Sequence, residues 1–416
     1  VTETDMKWNK RSSFILEVFQ NIIPKIDEYL EVDPTFAENW VSLCVHLMHT
    51  YSNDRRKLLT SKSELQTKAT LDFERLFPIL KVALHGIFLP TSSPSMRSDL
   101  YILAESFLQQ TMHSQEVIAK LTAFLKSLDV NVFNIICHDS LAGESANRIT
   151  ALILLESFVK AILQLQSPQV RECLIFETFC RDNYLLLLGQ KLKLTDECFT
   201  RAMETIVLNT KSHGITIQEL LYELTSFKAT VSFLTRIAQT RLGAQQLLRN
   251  DIFGTIKECK FLELDADLGF ELNLVESISE SSRESVTTVT ISLDQPLSSN
   301  VSLGKNNYND TEGNVSRDNI SYYEIFIPII QLVTAIVISL GPQNDSCLMQ
   351  AASLQKHFAR LTSAVLKREL LYERNKHKLK ESTDFAEIEE GAFSIYNVKG
   401  LQELTKLFTL FDSLIN

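Results

Sequence analysis

Residues 14–30 read FILEVFQNIIPKIDEYL, and the spacing of their apolar letters decides the fold. Ile15, Phe19, Ile22, Ile26 and Leu30 recur three or four apart, which predicts a single apolar stripe along a helix. Leu152, Leu155, Phe158, Ile162 and Leu165 repeat the pattern; Leu220, Leu221 and Leu224, then Phe233 and Ile237, repeat it again. Residues 77–89 are apolar over more than one face, so that helix must be covered on two sides and belongs to a layer between neighbours. One short stretch, Val286–Leu293 (VTTVTISL), has the β-branched alternation of a strand but no evident partner.

Composition agrees with long helices. The 416 residues include only 12 Gly and 9 Pro, well under the roughly 7% and 5% of average usage. Both residues punctuate turns, so their scarcity argues against sandwiches and hairpin-rich barrels. Asp33-Pro34, Ser93-Pro94 and Ser167-Pro168 each pair a capping side chain with a proline at the first helical position. Gly341-Pro342 closes the helix before it. Many helices, short polar turns and no clean fixed-period repeat predict an all-α architecture: an α-solenoid of irregular HEAT/armadillo-like helix pairs.

Three blocks are expected. Residues 1–275 form a helical-repeat block, 276–319 a polar, flexible insertion rich in Ser, Asn and Thr, and 320–416 a second helical block continuing the same solenoid. Asn300, Asn309, Asn314 and Asn319 form N-x-S/T sequons in the insertion, read as chance in such a composition. The charged run Lys367–Lys380 (KRELLYERNKHKLK) reads as the solvated side of a helix, with a basic docking patch as the alternative. The first residue is Val1, which suggests processing, truncation or a piece of a longer chain. Ile325–Leu340 (IFIPIIQLVTAIVISL) is shorter than the roughly 20 residues of a bilayer span and holds Pro328, Gln331 and Thr334, so it reads as a buried helix.

The net charge of −10 offers no basic field for nucleic acid. Seven cysteines, an odd number with no C-x-x-C pair, read as free, mostly buried thiols of a reducing compartment. His46 and His49, in CVHLMH, could share a helical face but lack a third ligand nearby, so they read as core or boundary histidines. Cys137-His138-Asp139 lines up three reactive side chains, yet consecutive helical residues point in different directions and cannot converge on one substrate. No phosphate loop, dinucleotide fingerprint, nucleophile elbow or zinc-protease signature is present, and carboxylate pairs such as Glu389-Glu390 specify nothing. No catalytic, cofactor-binding or metal-binding residue is expected, and the chain is not expected to be an enzyme. What remains is surface for partners; most of the 24 Phe should be core.

Residues 236–262, RIAQTRLGAQQLLRNDIFGTIKECKFL, are the most distinctive string. Thr240 can cap a helix, Gly243-Ala244 permit close approach, Leu247 and Leu248 supply a buried face, and Asn250-Asp251 turn into the stripe of Ile252, Phe253 and Ile256. The string resembles the C-terminal tail region of the large inner-ring scaffold nucleoporins of the nuclear pore complex, the 192/205 kDa class. They carry a similar "AQTR-x-GA-x-x-LL" phrase, a "C-x-x-L"-like end, a variable polar insertion, and then a helix similar to residues 323–340 here with its "P-x-x-QL" core. The resemblance implies an α-solenoid in the inner ring at the nuclear envelope, peripheral and not membrane-spanning. It implies binding of helical or linear motifs of flexible linker nucleoporins, with no cofactor, small-molecule substrate or direct nucleic-acid contact. It names no partner-binding residue. The alternative is a soluble HEAT/armadillo-type nuclear transport receptor or adaptor.

Overall fold

The computed structural model of the chain describes residues 3–58, 62–128, 130–181, 183–207, 217–260, 270–278, 285–293, 319–321, 323–360, 395–415 and positions 363, 367 and 370. They gather into two compact units, Val1–Leu188 with Ser232–Gln246, and Gly189–Val231 with Leu247–Asn416.

The first unit is an all-α stack of helix pairs. Its opening helix α1 (Glu3–Val32) packs on α2 (Pro34–Leu58), α3 (Lys62–Phe88) on α4 (Pro94–Thr111), and α6 (Val130–Ala142) on α7 (Ser145–Leu163). Successive pairs meet like with like: α1 touches α3 and α3 touches α6 in one layer, while α2 touches α4 and α4 touches α7 in the other. This two-layer stacking is that of an irregular HEAT/armadillo-like solenoid. The extra helix α5 (Gln115–Ser127) lies against α3 and α7, and α8 (Pro168–Phe179) against α7. The periodicity of residues 14–30 holds with one adjustment: Ile15, Phe19, Ile26 and Leu30 are buried, but Ile23, not Ile22, fills the intervening turn.

Phenylalanine supplies much of the cement. Phe77 meets Phe107 of α4 at 6.3 Å and Phe124 of α5 at 5.0 Å. A second run goes from Phe133 on α6 to Phe158 on α7 and Phe179 on α8, and from Phe179 to Phe233. Edge-on geometry recurs because the positive ring edge seeks the negative face of its neighbour.

The caps behave largely as read. Asp33 accepts from the Phe36 amide at 3.1 Å and Ser93 from the Met96 amide at 3.0 Å. Ser167 is a correction: it has capping backbone geometry but no side-chain cap, its hydroxyl donating to Gln169 at 3.2 Å instead. Gly341 takes φ +75°, the left-handed value that ends a helix and that favours glycine.

Helix α9 (Tyr184–Val207), α10 (Ile217–Ala238) and α11 (Arg241–Arg249) each contribute to both units. The second unit holds α12 (Ile252–Lys257), α13 (Tyr323–Leu340), α14 (Asp345–His357) and α15 (Ile395–Ile415). Its α13 packs on α14 and α15, burying Phe326, Leu332, Val333 and Ile336. Phe326 meets Phe358 at 5.5 Å and Phe408 of α15 at 6.2 Å. The apolar run is therefore a covered helix, and among the described residues no helix is long and apolar enough to cross a membrane.

The strand reading needs a correction, because Val286–Leu293 has a partner. Three strands, β1 (Phe270–Ile278), β2 (Ser285–Leu293) and β3 (Asn319–Ser321), form an antiparallel sheet in the order β2-β1-β3. The register sets apolar opposite apolar, Leu272 against Ile291 and Leu274 against Val289. In β1, Glu271 and Asn273 alternate with Phe270, Leu272 and Leu274, the two-residue period of a strand, so this element was legible in the sequence. Part of the 276–319 stretch is thus paired. Asn300, Asn309, Asn314, most of Lys367–Lys380 and Glu389-Glu390 lie outside the described residues.

Candidate interaction surfaces

The side chains singled out for chemistry are dispersed by the fold. His46 and His49 are exposed on α2 rather than in the core, and His49 Nε2 lies 2.8 Å from the Asn53 amide nitrogen. Among the described residues no three His, Cys, Asp or Glu side chains converge as metal ligands. Cys137, His138 and Asp139 part as helical geometry demands. His138 points to solvent, and burial drives the Cys137 thiol up to about 12, slightly opposed by a hydrogen bond with Tyr184. Burial likewise raises Cys44, Cys180 and Cys259 to about 12 and Cys347 to about 11, so these thiols stay protonated and poorly nucleophilic at neutral pH.

Asp139 instead joins three helices. Its buried carboxylate accepts from Arg97 Nε at 2.7 Å and from the Tyr101 hydroxyl at 2.7 Å, both on α4, and from Asn147 at the start of α7. Burial by itself would raise its pKa. Hydrogen bonds from Asn147, Tyr101 and Arg97, with the Arg97 charge, more than offset this and hold it below the usual carboxylate value. At the next residue, Ser140 and Tyr184 share a 2.7 Å hydroxyl contact. The sequence drew attention to this position for a reason the structure replaces: it is an architectural key.

Up to residue 260, the last described there, the distinctive 236–262 string is explained by local fit. Thr240 Oγ1 donates to the Ile237 carbonyl at 2.8 Å and accepts from the Gly243 amide at 3.1 Å. A Cβ on Gly243 would fall 2.3 Å from the Ile237 carbonyl oxygen, so only glycine fits. The Glu172 carboxylate, from α8, accepts from the amides of both Arg241 and Leu242 at 2.8 Å. It thereby satisfies the first free donors of α11 and meets the positive end of its dipole. Asp251, at φ 54°, caps α12 through the Gly254 amide at 3.2 Å. Of the two leucines, Leu247 is buried and Leu248 half-buried.

Two surfaces of the first unit stand out. On α1 and α2, the sides that meet the next pair carry Asp27 and Glu31, facing His85 of α3, and Ser42, bonded to Asp99 of α4. Elsewhere on these two helices Phe14, Val32, Phe36 and Leu43 are exposed, and Tyr29, Phe36 and Trp40 pack edge to face at 4.9 and 5.9 Å. The second gathers charges of both signs where α2, α4 and α7 end, with Glu105 of α4 and Glu156 of α7 among the cations. Arg55 and Arg56 come from α2, Lys160 from α7, His113 from just past α4, and Arg75 lies beside Tyr51. The charged surface carries no sequence signal, since it is assembled from residues far apart in the chain, whereas the aromatic one lies within residues 14–43.

Comparison with known proteins supplies the context for these surfaces. Residues 1–415 match the family described as "Nup192: Nuclear pore complex scaffold, nucleoporins 186/192/205". Over 297 residues the chain is 22% identical to nucleoporin NUP192 of Chaetomium thermophilum, a match taking in 64% of this chain and 17% of that protein.

Proposed function

We propose, from the premise that this chain belongs to the nuclear pore complex scaffold nucleoporins of the 186/192/205 family, that its helical stack holds helical or linear motifs of flexible linker nucleoporins in place. Members of this family are components of the nuclear pore complex at the nuclear envelope, and the family is one of structural scaffolds. Because the matched region spans only 17% of the curated relative's length, the partners of the whole protein belong to the proposal.

The observation carrying the reading is the family match across 1–415, together with the open surfaces of the first unit. Helix pairs stacked in two layers expose long faces of regularly spaced side chains, which suit amphipathic helices and extended peptides. Support for pore assembly and nucleocytoplasmic transport would follow from holding such segments in register. Crosslinking with mass spectrometry on native pores tests the proposal. Crosslinks from α1, α2 and α4 to flexible segments of linker nucleoporins are expected. Crosslinks from these helices confined to soluble transport cargo would overturn it in favour of a transport receptor.

A further inference from the structure

Two neighbouring helices of one layer each carry a proline well inside their length: Pro24 in α1 and Pro78 in α3. In the other layer, α2, α4 and α7 hold no proline beyond the first residue. A proline inside a helix has no amide to give, and its ring crowds the carbonyl four residues earlier. The ladder is therefore broken at Gln20 and at Glu74, both exposed, where solvent reaches the freed carbonyls. In the turn before Pro24, Asn21 Nδ2 donates to the Glu17 carbonyl at 2.9 Å, so a second carbonyl there draws a bond from outside the ladder.

Contacts between the helices set the two breaks at one level. The α1–α2 and α3–α4 turns lie at the same end of the stack, where Ser93 Oγ of α4 donates to Glu38 of α2 at 3.1 Å, so α1 and α3 run parallel. His85 Nδ1 of α3 lies 2.9 Å from Asp27 and its Nε2 lies 3.7 Å from Glu31. A Cβ on Gly86 would come within 3.2 Å of Leu30. Counting back from the Leu30–Gly86 contact, Pro24 is six residues away and Pro78 eight. At roughly 1.5 Å per residue the prolines differ in height by about 3 Å, less than one turn.

The two sides of this level are tied differently. Before it, Arg11 is bonded to Asp54 of α2, and Phe73 packs on Phe107 of α4 at 5.7 Å. Beyond it, α1 and α3 hold each other through His85.

We propose that Pro24 and Pro78 form a single hinge line across the layer, about which the amino-terminal parts of α1 and α3 tilt together over the unbroken helices of the other layer. The stack then yields by bending, with its aromatic contacts closed. This goes beyond the scaffold reading and does not rest on it.

Hydrogen exchange, read by mass spectrometry on the whole 416-residue chain, tests the proposal. Segments 20–28 and 74–82 should exchange about tenfold faster than the middle of α4, because a broken ladder opens locally without global unfolding. Pro24→Ala should slow exchange by on the order of tenfold in both segments, and Pro78→Ala likewise, since one restored ladder stiffens the shared line. Pro34→Ala, at a first helical position that proline suits, should change neither. Wild-type exchange in both segments as slow as in α4 would overturn the proposal, and that comparison needs no variant to fold. So would substitutions that act only on their own helix, which means two independent kinks. Slowing spread evenly over the first unit would overturn it too, because it means general stabilisation.

Discussion

Around Asp139, three helices of the first unit meet through a buried carboxylate; around Phe326, helices of the second meet through aromatic rings. The carboxylate accepts bonds from fixed directions, so it sets the rotation of α4 against α6 and α7 and is satisfied by one arrangement only. Rings supply more area and less direction, and neighbouring side chains can shift to accommodate a change of shape. A solenoid that must present surfaces in register gains from having both: area to hold pairs together, and polar keys to fix how they are turned.

The largest effect should come from abolishing the apolar half of that arrangement inside the first unit. Leu155, fully buried on α7, becomes an uncompensated charge in Leu155→Asp, and cooperative melting should disappear. Wild-type-like melting would contradict the face assigned to it. Asp139→Ala leaves Arg97, Tyr101 and Asn147 facing a void and should cost about 3–5 kcal/mol in chemical denaturation. Phe326→Leu, which keeps the chemistry and most of the volume, should cost only about 1–2 kcal/mol. If it costs as much as Asp139→Ala, the contrast between directional and adaptable packing fails.

A pH series sharpens the same contrast. The folded-state pKa of Asp139 is depressed, so its stabilising effect is present above the unfolded carboxylate value of about 3.9 and is lost as pH falls through the lower folded value. Asp139→Asn should therefore be less stable than the wild type at neutral pH, with the gap closing in strong acid. A gap independent of pH would mean that shape, not charge, matters there. At the small end, Glu172→Gln weakens two charge-assisted bonds to α11 and should cost about 1 kcal/mol. Lys193→Ala, which removes an exposed bridge to Glu258, should shift stability by less than about 0.5 kcal/mol.

What the sequence revealed was local. Helical period, proline-initiated caps and the left-handed Gly341 depend on residues within a turn or two of each other, and Asp33, Ser93 and Gly341 behave accordingly. Ser167 shows the limit: its letter and its backbone suit a cap, but its hydroxyl finds a competing acceptor in Gln169. Partnerships across the chain were not legible. Nothing near Glu172 names Arg241, and nothing near Val286 names the strand at Phe270–Ile278. The mixed charges where α2, α4 and α7 end were invisible for the same reason, since they come from different helices. The family resemblance at 236–262 named the class where periodicity alone stopped at the fold, and the described part of that string holds several simultaneous fits, among them Gly243, which only glycine can replace.

The Glu172 clamp also has a consequence in time. Helix α11 has nine residues, fewer than the roughly 12–15 that a peptide needs to hold a helix alone in water. Its first turn leans on a carboxylate that lies 69 residues earlier in the chain. During synthesis that carboxylate leaves the ribosome first, so α8 can be waiting, already docked, when Arg241 emerges. Growth from the amino end thus lays each course of the wall before the one that hangs from it.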